Sequence, residues 1–174
     1  MPRLFFALWP GEEAARRLSG LALEIAGRGG GKPVPMEKIH LTLAFLGEVP
    51  PERIEAARAA GDATGGKGFE LAFDCVGSFR AAQVAWAGQR ETSAALAGLQ
   101  SRLAAALAAR GFALEDRPYT PHLTLARRTA RTVPREAIVP VRWKVEAFRL
   151  VRSEPGTGSY TILAEWPLGP ARRS

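Results

Sequence analysis

The pentapeptide His-Leu-Thr-Leu-Ala occurs twice, at residues 40–44 and 122–126, and together the two copies contain both histidines of the chain. Side chains alternate between the faces of a strand, so each copy predicts His and Thr on one face and the leucines on the other. In the first copy, Phe45 is expected on the leucine face. Alternating leucines suit any half-buried strand, but packing alone does not require His and Thr. The repeat therefore predicts two similar halves and a candidate catalytic pair, His40 and His122.

The segments around the two motifs follow the same order. Turn residues and hydrophobic periodicity predict a strand, a helix and a loop before each motif. In the first half the predicted strand lies at 3–9, the helix at 11–26 and the loop at 27–35. In the second half the strand lies at 83–87, the helix at 91–110 and the loop at 117–121. A short helix is predicted at 51–60 and further strands at 69–79, 143–152 and 160–166. This order predicts an α+β fold, a single domain over residues 1–174. It would consist of two interleaved, pseudo-symmetric half-lobes, each an antiparallel sheet with helices, with the active-site cleft between them.

Composition narrows the classes of function. The chain has 174 residues, a formal charge of +7 and one cysteine. The positive charge favours an anionic partner, and no apolar run is long enough to span a bilayer. Cys75 has no partner for an internal disulfide, and no His-Glu-x-x-His spacing is present, so we expect no metal or other cofactor. We also expect a cytoplasmic monomer without membrane association.

Two histidines and two threonines around one point suit displacement at phosphorus. An imidazole changes protonation near neutral pH at small free-energy cost, so one histidine can act as base and the other as acid. Threonine hydroxyls can donate hydrogen bonds to the non-bridging phosphate oxygens. The residues alone do not say which histidine is the acid, because the two motifs are locally identical.

Three segments carry a family resemblance: Arg3-Leu-Phe-Phe-Ala-Leu8, His40-Leu-Thr-Leu-Ala-Phe-Leu-Gly47 and Pro121-His-Leu-Thr-Leu-Ala-Arg127. The chain resembles the two-histidine (2H) phosphoesterases with paired HxTx motifs, and among them the RNA 2′,3′-cyclic phosphodiesterases, also called 2′-5′ RNA ligases. The resemblance implies a bilobal α+β fold and hydrolysis of RNA 2′,3′-cyclic phosphate ends to 2′-phosphomonoesters, without a metal. In some members it also implies reversible 2′-5′ joining of tRNA halves.

The resemblance also implies roles for the motif residues. His40 would be the proton donor to the leaving 3′ oxygen, and His122 would be the proton acceptor that activates water. Thr42 and Thr124 would hold the phosphate.

Two further site residues are predicted from residue type and position. Arg127 can present two donors to a pair of phosphate oxygens, so we expect it to bind phosphate. Tyr119, in the loop before the second motif, is the candidate for stacking on a base.

Two other functions fit the same residues. One is a phosphodiesterase for small cyclic nucleotides or an ADP-ribose cyclic phosphate. The other is a non-catalytic RNA-binding module, although binding alone would be satisfied by arginine and lysine in place of two histidines.

Overall fold

The fold is built on one antiparallel sheet flanked by helices. The computed structural model describes residues 1–170. Its strands are β1 (Arg3–Leu8), β2 (Lys32–Pro33), β3 (Leu41–Glu48), β4 (Phe69–Phe79), β5 (Val84–Gly88), β6 (His122–Arg127), β7 (Glu136–Val145), β8 (Ala147–Ser153) and β9 (Tyr160–Pro167). Its α-helices are α1 (Glu12–Gly29), α2 (Ile54–Thr64) and α3 (Ala94–Ala108), and short 3₁₀ turns lie at Met36–Lys38 and Pro51–Arg53. The predicted α+β class with antiparallel strands is confirmed.

The two motif strands meet at the centre of the sheet. The strand order is β7-β4-β5-β6-β3-β1-β8-β9, with β2 added to β6. One residue pair, Leu41 with Leu123, joins β3 to β6. We call β3, β1, β8 and β9 the His40 half and β7, β4, β5 and β6 the His122 half. Reading these halves as two lobes remains our interpretation of this narrow junction.

The helices pack across the two halves. Helix α1 precedes the first motif in the chain but packs mainly on β6, in the His122 half. Helix α3 precedes the second motif but packs on α2 and on β3, in the His40 half. Its stripe of leucines is completely buried, as the sequence predicts: Leu96, Leu99, Leu103 and Leu107. Within residues 1–170 no helix is both long and apolar enough to cross a membrane.

Two predicted helix boundaries are wrong, each because of a glycine. Helix α1 continues past residue 26 to Gly29, and Gly30 closes it in the left-handed conformation with φ of 72°. Helix α2 continues through Gly61 to Thr64. A Cβ at Gly61 would lie 2.2 Å from the indole of Trp166. Gly61 is therefore a close-packing position inside the helix.

The strand predicted at 143–152 is also wrong, because it is two strands, β7 and β8, separated by Glu146. The prediction missed most of β7, which contains Pro140. Strand β7 is at the edge of the sheet, and the register with β4 shifts between Phe73 and Cys75, opposite this segment. Proline is tolerated at such edges and bulges because its missing N–H breaks no ladder bond. Helix α3 begins at Ala94 rather than at residue 91, because the side chain of Ser93 caps it.

Candidate active site

The strand register brings the four motif side chains onto one face of the sheet centre. Antiparallel pairing of Leu41 with Leu123 sets Thr42 opposite His122, and His40 opposite Thr124. Opposed side chains lie about 5 Å apart and diagonal ones about 7–8 Å apart, so the two histidines are diagonal neighbours about a local twofold axis. All four line one cleft of about 580 Å³. The structure thus brings the predicted histidines and threonines together.

Matching hydrogen bonds orient the two imidazoles. Nδ1 of His40 lies 2.7 Å from the carbonyl oxygen of Lys38, and Nδ1 of His122 lies 2.9 Å from that of Thr120. A carbonyl oxygen only accepts, so each Nδ1 carries a proton and donates it. This fixes the tautomer, and Nε2 of each ring is the atom left to take or give a proton.

The rings around the two histidines differ. His40 stacks on Phe5 and Trp9, with centroid distances of 5.0 and 4.9 Å and interplanar angles of 28° and 24°. His122 meets Phe79 edge-on, at 5.0 Å and 89°. The sequence analysis assigned no role to Phe5, Trp9 or Phe79, because their relation to the histidines depends on strand pairing rather than on a local motif.

Burial under these rings lowers the pKa of His40 below its usual value near 6.5. The hydrogen bond to Lys38 opposes this shift, and the positive charge of Arg127 adds to it. The neutral imidazole is therefore favoured in the free protein. An anion in the cleft would favour the charged form instead.

Tyr160 is a further cleft residue that the sequence analysis missed. Its ring meets His40 edge-on, with 5.7 Å between centroids, and lies beneath the ammonium group of Lys38. Burial raises the pKa of Tyr160, so its hydroxyl keeps its proton at neutral pH. Tyr160 can therefore donate a hydrogen bond to an anion in the cleft.

A bulge in each motif strand turns the side chain two residues after the extra residue toward the cleft face of the sheet. On β3 the partners of Phe6 and Ala7 are Ala44 and Thr42, so Leu43 is the extra residue. The bulge reverses the alternation, and Phe45 lies on the cleft face, opposite Phe5 and 56% exposed. The prediction that Phe45 shares the leucine face is therefore wrong.

Strand β6 has the equivalent bulge. Ala85 and Trp86 of β5 pair with Ala126 and Thr124, which leaves Leu125 as the extra residue. The side chain of Arg127 consequently reaches the cleft lining with the histidines. The structure therefore places the predicted phosphate ligand Arg127 at the site.

Positive charge is concentrated in the cleft. Five basic residues line it: Arg3, Lys32, Lys38, Arg127 and Arg128. Within residues 1–170 none of these forms a salt bridge, whereas eight arginines outside the cleft pair with carboxylates. The one carboxylate of the lining, Glu154, pairs with Arg152. Cations left without carboxylate partners make this cleft a site for an anion.

Tyr119 does not reach the cleft. Its ring packs against the hydrophobic core, and its hydroxyl donates a 2.9 Å hydrogen bond to the carbonyl oxygen of Thr42. Tyr119 is absent from the lining of the cleft that holds the motif residues, so this position lends no support to the predicted stacking role, which stays a prediction. It instead supports the backbone of the first motif.

The described part of the chain offers no metal centre. Within residues 1–170 no group of three or more His, Cys, Asp or Glu side chains is placed to hold a metal ion. Cys75 is buried as a free thiol in β4. The cleft lining itself supplies two imidazoles, hydroxyl groups and cations.

Comparison with known proteins places these features in a family. The family model of the 2′-5′ RNA ligase superfamily matches residues 10–157. The RNA 2′,3′-cyclic phosphodiesterase of Escherichia coli is 34% identical over 173 residues, which cover 95% of this chain and 96% of the relative. The enzyme of that name from Thermus thermophilus is also 34% identical, over 95% of this chain and 90% of the relative. The crystal structure of E. coli LigT complexed with 3′-AMP superposes with a TM-score of 0.84 at 33% identity, over 97% of this chain and 99% of that one. With its two His-Leu-Thr-Leu-Ala motifs and this agreement in sequence and fold, the chain belongs to the 2′-5′ RNA ligase superfamily.

Proposed function

We propose that this protein hydrolyses RNA 2′,3′-cyclic phosphate ends to 2′-phosphomonoesters, with His40 and His122 as its acid and base. The observation that carries the proposal is the arrangement of the two motifs about one cationic cleft, with each imidazole fixed by its Nδ1–H. Relatives that match nearly the whole chain bear the name of this activity.

The proposed reaction is an in-line displacement at phosphorus. Nε2 of His122 accepts a proton from a water molecule, whose oxygen forms the new bond to phosphorus. The bond from phosphorus to O3′ breaks, and Nε2 of His40 gives its proton to O3′. The product carries a 2′-phosphate and a free 3′-hydroxyl. Proton exchange with solvent then restores a protonated His40 and a neutral His122.

The remaining cleft groups stabilise the developing charge. Thr42 and Thr124 donate hydrogen bonds to the two non-bridging oxygens, one from each side of the local axis. The guanidinium of Arg127 binds the same phosphate in the ground state as well as in the transition state, whereas the threonine hydroxyls are aimed at the oxygens where charge develops. Donors already held in place favour the transition state, where charge on these oxygens is greatest, over the ground state.

The cleft cations favour an RNA end over a small cyclic nucleotide. A single cyclic phosphodiester carries one negative charge, whereas the cleft holds five basic residues without carboxylate partners in the described chain. An oligonucleotide supplies further phosphates for them. The proposal includes tRNA halves among the substrates and a cytoplasmic monomer. It also includes reversible 2′-5′ ligation, in which a 5′-hydroxyl takes the place of water and O3′ leaves in the same way.

The test is hydrolysis of an oligoribonucleotide with a 2′,3′-cyclic end in the presence of a chelator. We expect a 2′-phosphate from the wild type and almost none from His40→Ala or His122→Ala. Val139→Ala is a matched control, because Val139 is an exposed apolar residue of the edge strand β7, outside the cleft. If the wild type hydrolyses only cyclic mononucleotides, the substrate is a small molecule. If it binds RNA without turnover, the protein is a binding module and the proposal fails.

A further inference from the structure

Lys32 and Arg127 carry like charges at directly opposed positions of the sheet. They are partners on β2 and β6, so their side chains lie on the same face, and both line the cleft. In the described part of the chain no carboxylate forms a salt bridge with either of them. Like charges that face each other across two strands destabilise the sheet. An anion bound between these two cations would remove that cost.

Glycine at position 31 allows β2 to lie this close to β6. A Cβ at Gly31 would lie 2.5 Å from the carbonyl oxygen of Arg127 and 3.0 Å from the methyl group of Thr129. A larger residue would push β2 away from β6, and Lys32, the next residue of the chain, would move with it. The backbone therefore holds the two like charges together.

Arg128 adds a third cation through an unusual backbone conformation. Successive side chains of a strand point to opposite faces, yet Arg127 and Arg128 both line the cleft. Arg128 has φ of 55°, in the left-handed region, which is uncommon for residues other than glycine. This conformation ends the alternation of β6 and accounts for two neighbouring arginines at one cleft.

The surrounding backbone holds Arg128 in this conformation. The N–H of Thr129 donates a 3.1 Å hydrogen bond to the carbonyl oxygen of Gln83, which itself has φ of 53°. The N–H of Ala130 donates a 2.8 Å hydrogen bond to the carbonyl oxygen of Gly29, at the end of α1. The chain after Arg128 is thus fixed to two other segments. Residues kept in sparsely populated conformations by their surroundings are concentrated at ligand-binding sites.

The three cations differ in their position relative to the reacting groups. The charge of Arg127 acts on the pKa of both His40 and Tyr160, so its guanidinium is close to the cyclic phosphate in the proposed reaction. Arg128 is one residue further along the chain, and Lys32 comes from the added strand β2. These two are therefore available for a second phosphate beside the first.

The terminal nucleotide of an RNA has its next phosphate on one side only. The phosphodiester to the preceding nucleotide is joined through C5′ to C4′, which is next to the carbon that bears O3′. In the proposed reaction O3′ faces His40. The preceding phosphodiester is therefore expected on the His40 side of the site, where Arg127 and Arg128 lie.

We propose that Lys32 and Arg128 form a second phosphate subsite, which binds the phosphodiester between the terminal nucleotide and the one before it. This inference rests on the proposed function. Arg127 stays with the cyclic phosphate. The subsite makes the protein select an RNA end over a free nucleoside cyclic phosphate, since only the RNA has this phosphodiester. Contacts to phosphate carry no sequence information, so the subsite does not distinguish the preceding base.

Two substrates that differ by this phosphodiester test the subsite: a nucleoside 2′,3′-cyclic phosphate and the dinucleotide that ends in it. We expect the wild type to hydrolyse the dinucleotide with a kcat/KM at least about 10-fold higher, because a hydrogen bond to a charged group is gained. Arg128→Gly removes the guanidinium and keeps the left-handed backbone, which glycine readily adopts. It should remove most of this preference through a higher KM for the dinucleotide. Lys32→Met should also lower the preference, and Arg128→Lys, which keeps the charge, should restore most of it.

The dependence on salt separates a phosphate contact from a folding defect. Each phosphate contact to a single strand contributes about 0.7 to the slope of log affinity against log salt concentration. The slope of kcat/KM for the dinucleotide should therefore be flatter by about that amount in Arg128→Gly. Arg16→Ala is the matched control, since Arg16 is exposed and pairs with Glu12 outside the cleft. It should match the wild type in both substrate preference and slope.

The outcomes distinguish this inference from the proposed function. If folded Arg128→Gly and Lys32→Met both keep the wild-type preference for the dinucleotide, the inference is wrong while the proposed function stands. The inference is also wrong if the wild type hydrolyses the two substrates equally well. If the wild type hydrolyses no cyclic end of any length, both are wrong.

Discussion

The His40 half and the His122 half of the site share a backbone plan and differ in what surrounds each imidazole. Each histidine donates from Nδ1 to the carbonyl oxygen two residues earlier, and each motif strand has a bulge directly after its threonine. His40 lies against two stacked rings, whereas His122 meets one ring edge-on. The shared plan brings both imidazoles to one cleft, and the different surroundings distinguish two otherwise equivalent groups.

The difference has an electrostatic consequence. Burial lowers the pKa of His40, so its proton is held weakly in the free protein. A weakly held proton is readily given to a leaving oxygen, provided that the bound phosphate first favours the charged imidazole. The environment of His40 therefore links its proposed role as the acid to occupancy of the cleft.

The largest effect is expected from removing either histidine. His40→Gln and His122→Gln should each lower kcat about 10²- to 10⁴-fold, because each removes one proton transfer. The double variant should be little worse than the more damaged single variant, since both groups act in one step. Steady-state rates on a cyclic-end oligonucleotide measure this. A variant that keeps the wild-type rate would remove that histidine from the mechanism.

The next largest loss of rate is expected from removing either threonine hydroxyl, and the two losses can be compared. Thr42→Val and Thr124→Val each delete a hydroxyl while keeping the branched shape. Removal of one positioned donor from a developing oxyanion costs about 10²-fold in rate. The local twofold axis predicts similar losses in the two variants, measured as kcat with KM little changed. A loss confined to one variant would show that only one half binds the phosphate.

A smaller effect is expected from Arg127→Ala. A hydrogen bond to a charged group contributes about 1.5–3 kcal/mol, so KM should rise at least about 10-fold, with a smaller change in kcat. Arg16→Ala is the matched control, since Arg16 is exposed and pairs with Glu12 outside the cleft. An unchanged KM in Arg127→Ala would exclude the binding role.

The sequence was sufficient for the parts of the site that depend on local pattern. Identical pentapeptides predicted the two strands, and strand alternation predicted that His and Thr share a face. The register that sets His40 opposite Thr124 comes from one pair of leucines in the assembled sheet, which no local pattern specifies.

The failures come from interactions between distant segments. Phe45 was assigned to the wrong face because a bulge depends on the partner strand as well as on the sequence of β3. Tyr119 looked like a free loop aromatic, but the loop packs on the core and its hydroxyl reaches the backbone of β3. Trp9 was assigned no role, since its contact with His40 spans two strands.

The smallest effect concerns only the ionisation of His40. Trp9→Ala should expose the imidazole and raise its pKa toward the usual value, because less burial lowers the cost of the charged form. The two histidine signals in a proton NMR titration measure this pKa directly, whereas the two limbs of a pH-rate profile belong to the coupled pair of histidines.

The lowered pKa of His40 also makes the stability of the fold depend on pH. In the wild type the unfolded chain binds the His40 proton more tightly than the folded chain does, so the free energy of unfolding decreases as the pH falls below about 6.5. Trp9→Ala should make this decrease in the free energy of unfolding smaller. Phe79→Ala exposes His122 instead and should leave the pKa of His40 unchanged. A His40 pKa that falls in Trp9→Ala would show that the stacked indole stabilises the imidazolium and that burial is not what lowers the pKa of His40.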